Sequence, residues 1–174
     1  MANTYTLISS VTVGSGGASS IDFTSIPATY TDLLLKVSTR SDRNTGGWTN
    51  MFIRFNNDSS AIYSDRYVYG TGATVYSGSD ASATWSQIGE SNQTNTATNV
   101  FSSTDIYISN YAGSNYKSVS IDSTTEQNAT DVRQYLTAAL WSSTSAINRV
   151  TVLPAATFNW VQYTTAYLYG IKNS

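Results

Sequence analysis

The stretch DLLLKVSTR, from Asp32 to Arg40, decides the fold of this chain. Its aliphatic residues Leu33, Leu35 and Val37 occupy alternate positions on one face, and Leu34, Lys36 and Ser38 fall on the other. An alternation with a period of two residues predicts a β-strand with one face in a core. Turn-forming residues precede and follow the stretch, so the predicted strand has clear ends.

The same alternation recurs along the chain and predicts an all-β protein with little helix. Eight to ten short strands at fairly regular spacing favour an antiparallel β-sandwich, and hairpins separated by long crossing loops favour a jelly roll. In residues 60–69, apolar spacings of three and four also fit one or two helical turns. The other strands are expected at residues 4–13, 20–26, 51–56, 100–109, 116–124, 132–142, 146–153 and 164–171, with short ones near 74–76 and 84–90.

The domain organisation is expected to be a single β-sandwich domain over residues 1–174. A chain of this length buries roughly 70% of the surface that it exposes when unfolded, which is enough for a sizeable core. Residues 70–99 are rich in Gly, Ser, Thr and Ala and are expected to form an irregular insertion. No internal repeat or linker divides the sequence.

Composition excludes several classes of function. The net charge is −2, so a basic surface for nucleic acid is not expected. The chain has no cysteine and no histidine, which removes disulfides, thiolate metal sites and the commonest general base. The N-terminus lacks the pattern of a signal peptide, and no segment has the apolar length to cross a bilayer. We therefore expect no enzyme activity, cofactor, metal or membrane partner, and synthesis in a cytoplasm.

Two groups of carboxylates were weighed as sites. Asp105 and Asp122 lie on neighbouring predicted strands and could form the pair that glycoside hydrolysis needs, but they more simply face solvent. A second group lies in predicted loops and could bind calcium, but it lacks the dense spacing of a calcium loop and suits Asx turns better. That second group consists of Asp42, Asp58, Asp65 and Asp80.

Aromatic residues in or near predicted loops are the candidate contact residues. Exposed aromatic side chains can stack on sugars or anchor a protein interface, whereas buried ones fill a core that is short of leucine and isoleucine. Both interpretations stay open for each residue. The candidates are Trp48, Tyr63, Tyr69, Tyr76 and Trp85.

Several segments resemble a known group of proteins. They are NYAGSNYKSVSIDS at 110–123, LWSSTSAINRVTVLP at 140–154, the closing TTAYLYGIKNS and the opening TYTLISSVTVGSGGASSIDFTSIPATYTDLLLKVSTR. Together they are similar to small virion structural proteins of tailed bacteriophages, especially phages of aquatic bacteria, including cyanophages. The resemblance implies a jelly-roll-like virion component that is exposed and present as several identical subunits. It carries no catalytic motif.

Two roles follow as hypotheses. The first is a capsid decoration or cement protein, trimeric, bound to the major capsid protein or to fibre and tail proteins, with contacts from Tyr5, Trp160 or the aromatic loops. The second is the receptor-binding tip of a tail or head fibre, holding host surface glycan on Trp48, Tyr76 and Trp85. Both place the protein in the virion after synthesis in the host cytoplasm.

Overall fold

The computed structural model describes residues 4–128, 132–155 and 157–172. This part of the chain contains twelve β-strands and no helix, and none of it could cross a membrane as a helix. The strands are β1 (Tyr5–Thr12), β2 (Ile21–Phe23), β3 (Asp32–Ser41), β4 (Thr49–Phe55), β5 (Tyr63–Gly70), β6 (Val75–Ala83), β7 (Ser86–Gln93), β8 (Ser102–Ile108), β9 (Lys117–Thr125), β10 (Arg133–Trp141), β11 (Val150–Pro154) and β12 (Thr165–Ile171).

The strands form two antiparallel sheets packed around one hydrophobic core. The larger sheet has the order β1-β12-β3-β8-β9-β10-β5-β6, and the smaller sheet has the order β2-β11-β4-β7. A short parallel pairing between β3 and β7, at Arg40–Ser41 and Asn92–Gln93, joins the sheets at one end. Buried side chains from both sheets make up the core cluster. The predicted all-β sandwich is confirmed.

Strand β3 has the predicted two-sided character. Leu33, Leu35 and Val37 are buried in the core, whereas Leu34 is only half-buried and Lys36 is exposed on the opposite face. Strand β3 pairs with β12 on one side and with β8 on the other. Its central place explains why so regular an aliphatic alternation is needed there, since both neighbouring strands take their register from it.

The helical alternative for residues 60–69 is wrong. Most of this segment is β5, which pairs with both β10 and β6. Tyr63 and Asp65 point into the protein and are almost fully buried. Aromatic and acidic residues alternate with polar ones here, so the period of two is hidden when only aliphatic residues are counted.

Residues 70–99, expected to be an irregular insertion with short strands near 74–76 and 84–90, contain two strands that are longer than expected. The segment contains β6 and β7, and all eight residues of β7 are buried. Polar groups along one edge of β7 are satisfied by side chains of the larger sheet. Asp65 accepts from the Gln87 N–H at 3.0 Å, Thr125 donates to the Glu90 carbonyl at 2.8 Å, and Ser102 accepts from the Asn92 N–H at 2.7 Å. These bonds allow a polar strand to lie inside the protein.

Gly89 allows β7 to lie very close to β9. Its φ is +103°, and a Cβ atom at this position would lie 2.3 Å from the Ser123 Oγ. Any other residue would be strained in its backbone and would collide with β9.

The larger sheet extends past this contact through β5 and β6, and β6 is exposed along nearly its whole length. A cleft opens between β6 and the start of β7.

Candidate functional site

The outer surface of the larger sheet carries a continuous row of large apolar side chains. Across β1, β12, β3 and β8, the direct cross-strand partners are Leu7, Tyr169, Leu34 and Tyr107. Direct partners on one face of a sheet have neighbouring side chains. Tyr5 and Tyr167 lie two positions along β1 and β12 from members of this row. We call the whole set the aromatic face: Tyr5, Leu7, Leu34, Tyr107, Tyr167 and Tyr169.

The aromatic face is open to solvent. Tyr5 is 56% exposed and Leu7 is 51% exposed, both on β1, which pairs only with β12 among the described strands. Tyr107 is held in place because its hydroxyl donates to Asp32 Oδ2 at 2.6 Å, and this bond together with burial raises the pKa of Tyr107 to about 12. The patch therefore presents rings and aliphatic groups to solvent, with Tyr107 fixed by its hydrogen bond.

Charged residues border the aromatic face. Lys36 forms an ion pair with Asp105, and Asp105 is the cross-strand partner of Asp122. Asp122 accepts a hydrogen bond from Gln134 on the same outer surface. The Asp105 and Asp122 pair thus lies on an open sheet surface, as the solvent-facing interpretation predicted, and forms part of a polar rim.

A second surface feature is the cleft between β6 and the β4–β7 edge, with a volume of about 430 Å³. We call it the β6–β7 cleft. Its wall combines two aromatic rings with amide, hydroxyl and carboxylate groups. The lining residues are Asn50, Phe52, Asp80, Ser82, Ala83, Thr84, Trp85 and Gln87.

Trp85 forms the aromatic wall of the β6–β7 cleft. Its ring centroid lies 5.1 Å from that of Phe52, and the Arg54 guanidinium lies 5.4 Å from the Trp85 ring. Arg54 Nε also donates to the Thr84 carbonyl at 3.1 Å, which fixes the guanidinium beside the ring. Trp85 remains 37% exposed. The indole is therefore held by its neighbours and still presents a free surface.

Two carboxylates lie at this end of the sheet. Asp65 and Asp80 are direct partners in the β5–β6 pairing. Asp65 is only 2% exposed, and its Oδ1 has no hydrogen-bond partner among the described residues. Burial raises the pKa of Asp65, and the charge of Asp80 raises it further. Both residues were expected in loops, and that prediction was wrong because they belong to β5 and β6.

Strands β5, β6 and β10 carry a cluster of tyrosines next to the ion pair between Arg133 and Glu90. Tyr69 stacks on Tyr76 at 5.0 Å and on Tyr135 at 4.5 Å. The Arg133 guanidinium lies 3.3 Å from the Trp48 ring centroid and 5.0 Å from that of Tyr69. The same guanidinium bonds to Glu90 at 3.2 Å, and Glu90 also accepts from the Tyr135 hydroxyl at 2.7 Å. Through Trp48, the cluster connects the loop before β4 to strands β5 and β10.

The five predicted contact aromatics are divided between different environments. Tyr63 is 1% exposed, and its hydroxyl accepts from the Phe55 N–H at 3.0 Å, so its prediction as a contact residue is corrected to a core role. Trp48 and Tyr69 support the Arg133 cluster, Tyr76 is half-exposed beside them, and Trp85 lines the cleft.

Trp160 requires a second correction, since this predicted contact residue is fully buried and its indole N–H donates to the Val152 carbonyl. The surface position of Leu7, the cluster around Arg133 and the burial of Asp65 were not identified from the sequence. Pairing register and burial define these roles, and neither quantity can be read from composition.

The loop aspartates bond to nearby protein groups. Asp58 Oδ1 accepts from the Ser60 N–H at 2.9 Å, an Asx turn, and these bonds to Ser60 hold the pKa of Asp58 below its usual range. Asp42 accepts from the backbone and the side chain of Asn159 at 2.8 and 2.9 Å. Across the described ranges, no cluster of three or more acidic, histidine or cysteine side chains could hold a metal ion.

A scan against protein-family models and a search of curated proteins both find no match to this chain.

Proposed function

We propose that this protein is a structural protein of a tailed-bacteriophage virion, an exposed capsid decoration subunit that binds its neighbours through the aromatic face. The observation that carries the proposal is the cross-strand row of Leu7, Tyr169, Leu34 and Tyr107, flanked by exposed Tyr5. Tyrosine is enriched at protein interfaces because its ring offers a large contact area and its hydroxyl a polar end.

The arrangement of polar groups around the aromatic face supports a protein partner. Contiguous apolar patches on a surface, rimmed by polar residues, mark interaction sites. Here the rim includes the Lys36–Asp105 ion pair, while the patch itself spans four strands, or roughly 14 Å across the sheet at the usual strand spacing. A flat surface of this kind suits packing against another folded subunit.

The strand pairing supports the jelly-roll architecture that the virion role implies. Strand β1 pairs with β12, β2 with β11, β3 with β8 and β4 with β7. Each pair lies within the previous one along the chain, and successive pairs alternate between the two sheets. Rolling one long antiparallel hairpin into two sheets produces this nesting, and capsid domains often have this fold. The hairpins β5–β6 and β9–β10 are then additions that widen one sheet.

The assembly is a homo-oligomer in this proposal, and a trimer is the form we expect on the capsid. Closed symmetry lets identical subunits bury the same patch without forming open fibres. The edge strand β1 contributes Tyr5 and Leu7 and has no partner on its outer side within the described residues. Burial of this strand against a neighbour would cover both the patch and the open edge.

The experiment is a mass measurement by light scattering during size-exclusion chromatography. The wild-type chain should elute as a trimer, and the double variant Tyr5→Ser with Leu7→Ser should elute as a monomer that still unfolds cooperatively. The matched control is Tyr163→Ser, since Tyr163 is exposed but lies outside the aromatic face. A monomeric wild type, or a double variant that remains a trimer, would contradict the assembly role of this face.

A further inference from the structure

The β6–β7 cleft lies outside the aromatic face, and its chemistry calls for a separate explanation. Its volume of about 430 Å³ falls within the usual range of small-ligand sites. It combines an aromatic wall with a few polar groups, which is the composition of a recognition site. The proposed assembly role does not use it.

The aromatic wall suits a flat ligand surface with C–H groups. The indole of Trp85 contacts Phe52 and Arg54 and therefore does not need to be ordered when a ligand binds. A fixed ring with free surface is an efficient platform because little side-chain entropy is lost on binding. The C–H face of a pyranose ring packs well on such a platform.

The polar wall suits hydroxyl groups. The carboxylate of Asp80 accepts hydrogen bonds, and the amides of Asn50 and Gln87 both donate and accept. Each sugar hydroxyl is likewise a donor and an acceptor, so adjacent hydroxyls can be paired with a carboxylate and an amide together. A simple hydrocarbon ligand would leave these groups without partners.

The charges around the cleft indicate a neutral ligand. Among the described residues, no lysine or arginine lines it. Two arginines that contact lining residues have other partners: Arg54 bonds to Thr84 and lies over Trp85, and Arg66 bonds to the carbonyls of Asp65 and Asp80. Asp80 would repel a carboxylate or sulfate group on a sugar.

We propose that the β6–β7 cleft binds a neutral carbohydrate, with a sugar ring stacked on Trp85 and its hydroxyls bonded to Asp80, Asn50 and Gln87. This inference goes beyond the assembly role and stands on different residues. A decoration subunit with such a site would hold glycan at the particle surface.

The test is saturation-transfer NMR, followed by titration calorimetry, on the wild-type chain. The probes are the neutral saccharides maltotriose, mannotriose, cellotriose and chitotriose, and the acidic saccharide sialyllactose. At least one neutral probe should bind with a Kd of about 1 mM or tighter, and sialyllactose should bind more weakly. Asp80→Asn and Trp85→Ala should each weaken that binding about tenfold or more.

Controls separate a binding effect from a folding effect. Asp80 is exposed, so Asp80→Asn tests the site even where Trp85→Ala lowers stability. Tyr116→Ala removes an exposed aromatic ring from a different loop and should leave binding unchanged. The proposal is overturned if no neutral probe binds, if sialyllactose binds best, or if Asp80→Asn binds as tightly as the wild type.

Discussion

Replacement of Gly89 by alanine tests the packing on which the β6–β7 cleft depends. Strand β7 lies close to β9 at this residue, since an added Cβ atom would be 2.3 Å from Ser123 Oγ and 2.5 Å from Ser123 Cβ. The φ of +103° is also unfavourable for alanine. Gly89→Ala should therefore both strain the backbone and push β7 away from the larger sheet.

The expected loss of stability has two parts. A residue with a side chain in this sparsely populated φ region costs roughly 1–3 kcal/mol, and overpacking of a well-packed core costs roughly 1–3 kcal/mol. The free energy of unfolding should thus fall by about 2–6 kcal/mol, which is a large share of the typical 5–15 kcal/mol. Ser123 is itself hydrogen-bonded to Thr104 at 2.7 Å and cannot easily move aside.

The assay is urea unfolding followed by tryptophan fluorescence, with a double-mutant cycle. In a Ser123→Gly background the collision is removed, so Gly89→Ala should cost less by about 1–3 kcal/mol, the steric part alone. The matched control is Gly16→Ala, because Gly16 has no atom within 4 Å of the added Cβ and no positive φ. This control should change stability by less than about 0.5 kcal/mol.

One result would refute the reasoning. If Gly89→Ala unfolds within about 0.5 kcal/mol of the wild type, β7 does not approach β9 as closely as described. A full cost that persists in the Ser123→Gly background would instead assign the whole effect to the backbone conformation.

Three further predictions concern buried polar groups. Asp65→Asn should gain stability relative to the wild type as the pH rises above about 4. The reason is that the folded wild type keeps the Asp65 proton above the ordinary pKa of 3.8, whereas the unfolded state releases it. Urea unfolding at a series of pH values measures this, and a stability difference that does not change with pH would contradict it. Lys117→Met should cost roughly 1–3 kcal/mol in thermal unfolding, because the fully buried amine donates to three backbone carbonyls; an unchanged melting temperature would argue against it. Tyr63→Phe should cost a similar amount, roughly 1–3 kcal/mol, because the buried Phe55 N–H loses its acceptor, whereas the exposed control Tyr163→Phe should cost nothing measurable.

The sequence predicts strands well where aliphatic residues alternate. Leu33, Leu35 and Val37 are buried as expected, and β8 and β9 lie within the strands predicted at residues 100–109 and 116–124 or one residue beyond. These elements follow from hydrophobic periodicity alone, since an aliphatic face has no stable place except the core.

Burial could not be predicted where polar residues take core positions, although a short strand was expected near residues 84–90 and β7 lies there. Strand β7 has the sequence SQIGESNQ and one aliphatic residue, and yet it is wholly buried. Besides its pairing with β4, its backbone groups bond to the side chains of Asp65, Thr125 and Ser102, which are distant in sequence. No local pattern contains this information, because the partners are defined only by the assembled sheets.

The candidate surfaces were predictable only in part. Tyr5 and Trp85 were singled out as contact aromatics, and both are exposed. Tyr63 and Trp160 have the same residue chemistry and are buried. An isolated aromatic residue between polar neighbours gives the same local signal in a loop and in a core, so its role depends on the register of the strands around it.

The most direct measurement of the proposed function is immunogold labelling of intact virions of the phage that, on this proposal, encodes the chain. Antibody raised against the folded protein should place gold over the whole surface of the head, in numbers that fit many copies per particle. Gold confined to the tail or to fibre tips would contradict the capsid decoration role, and so would particles without any label.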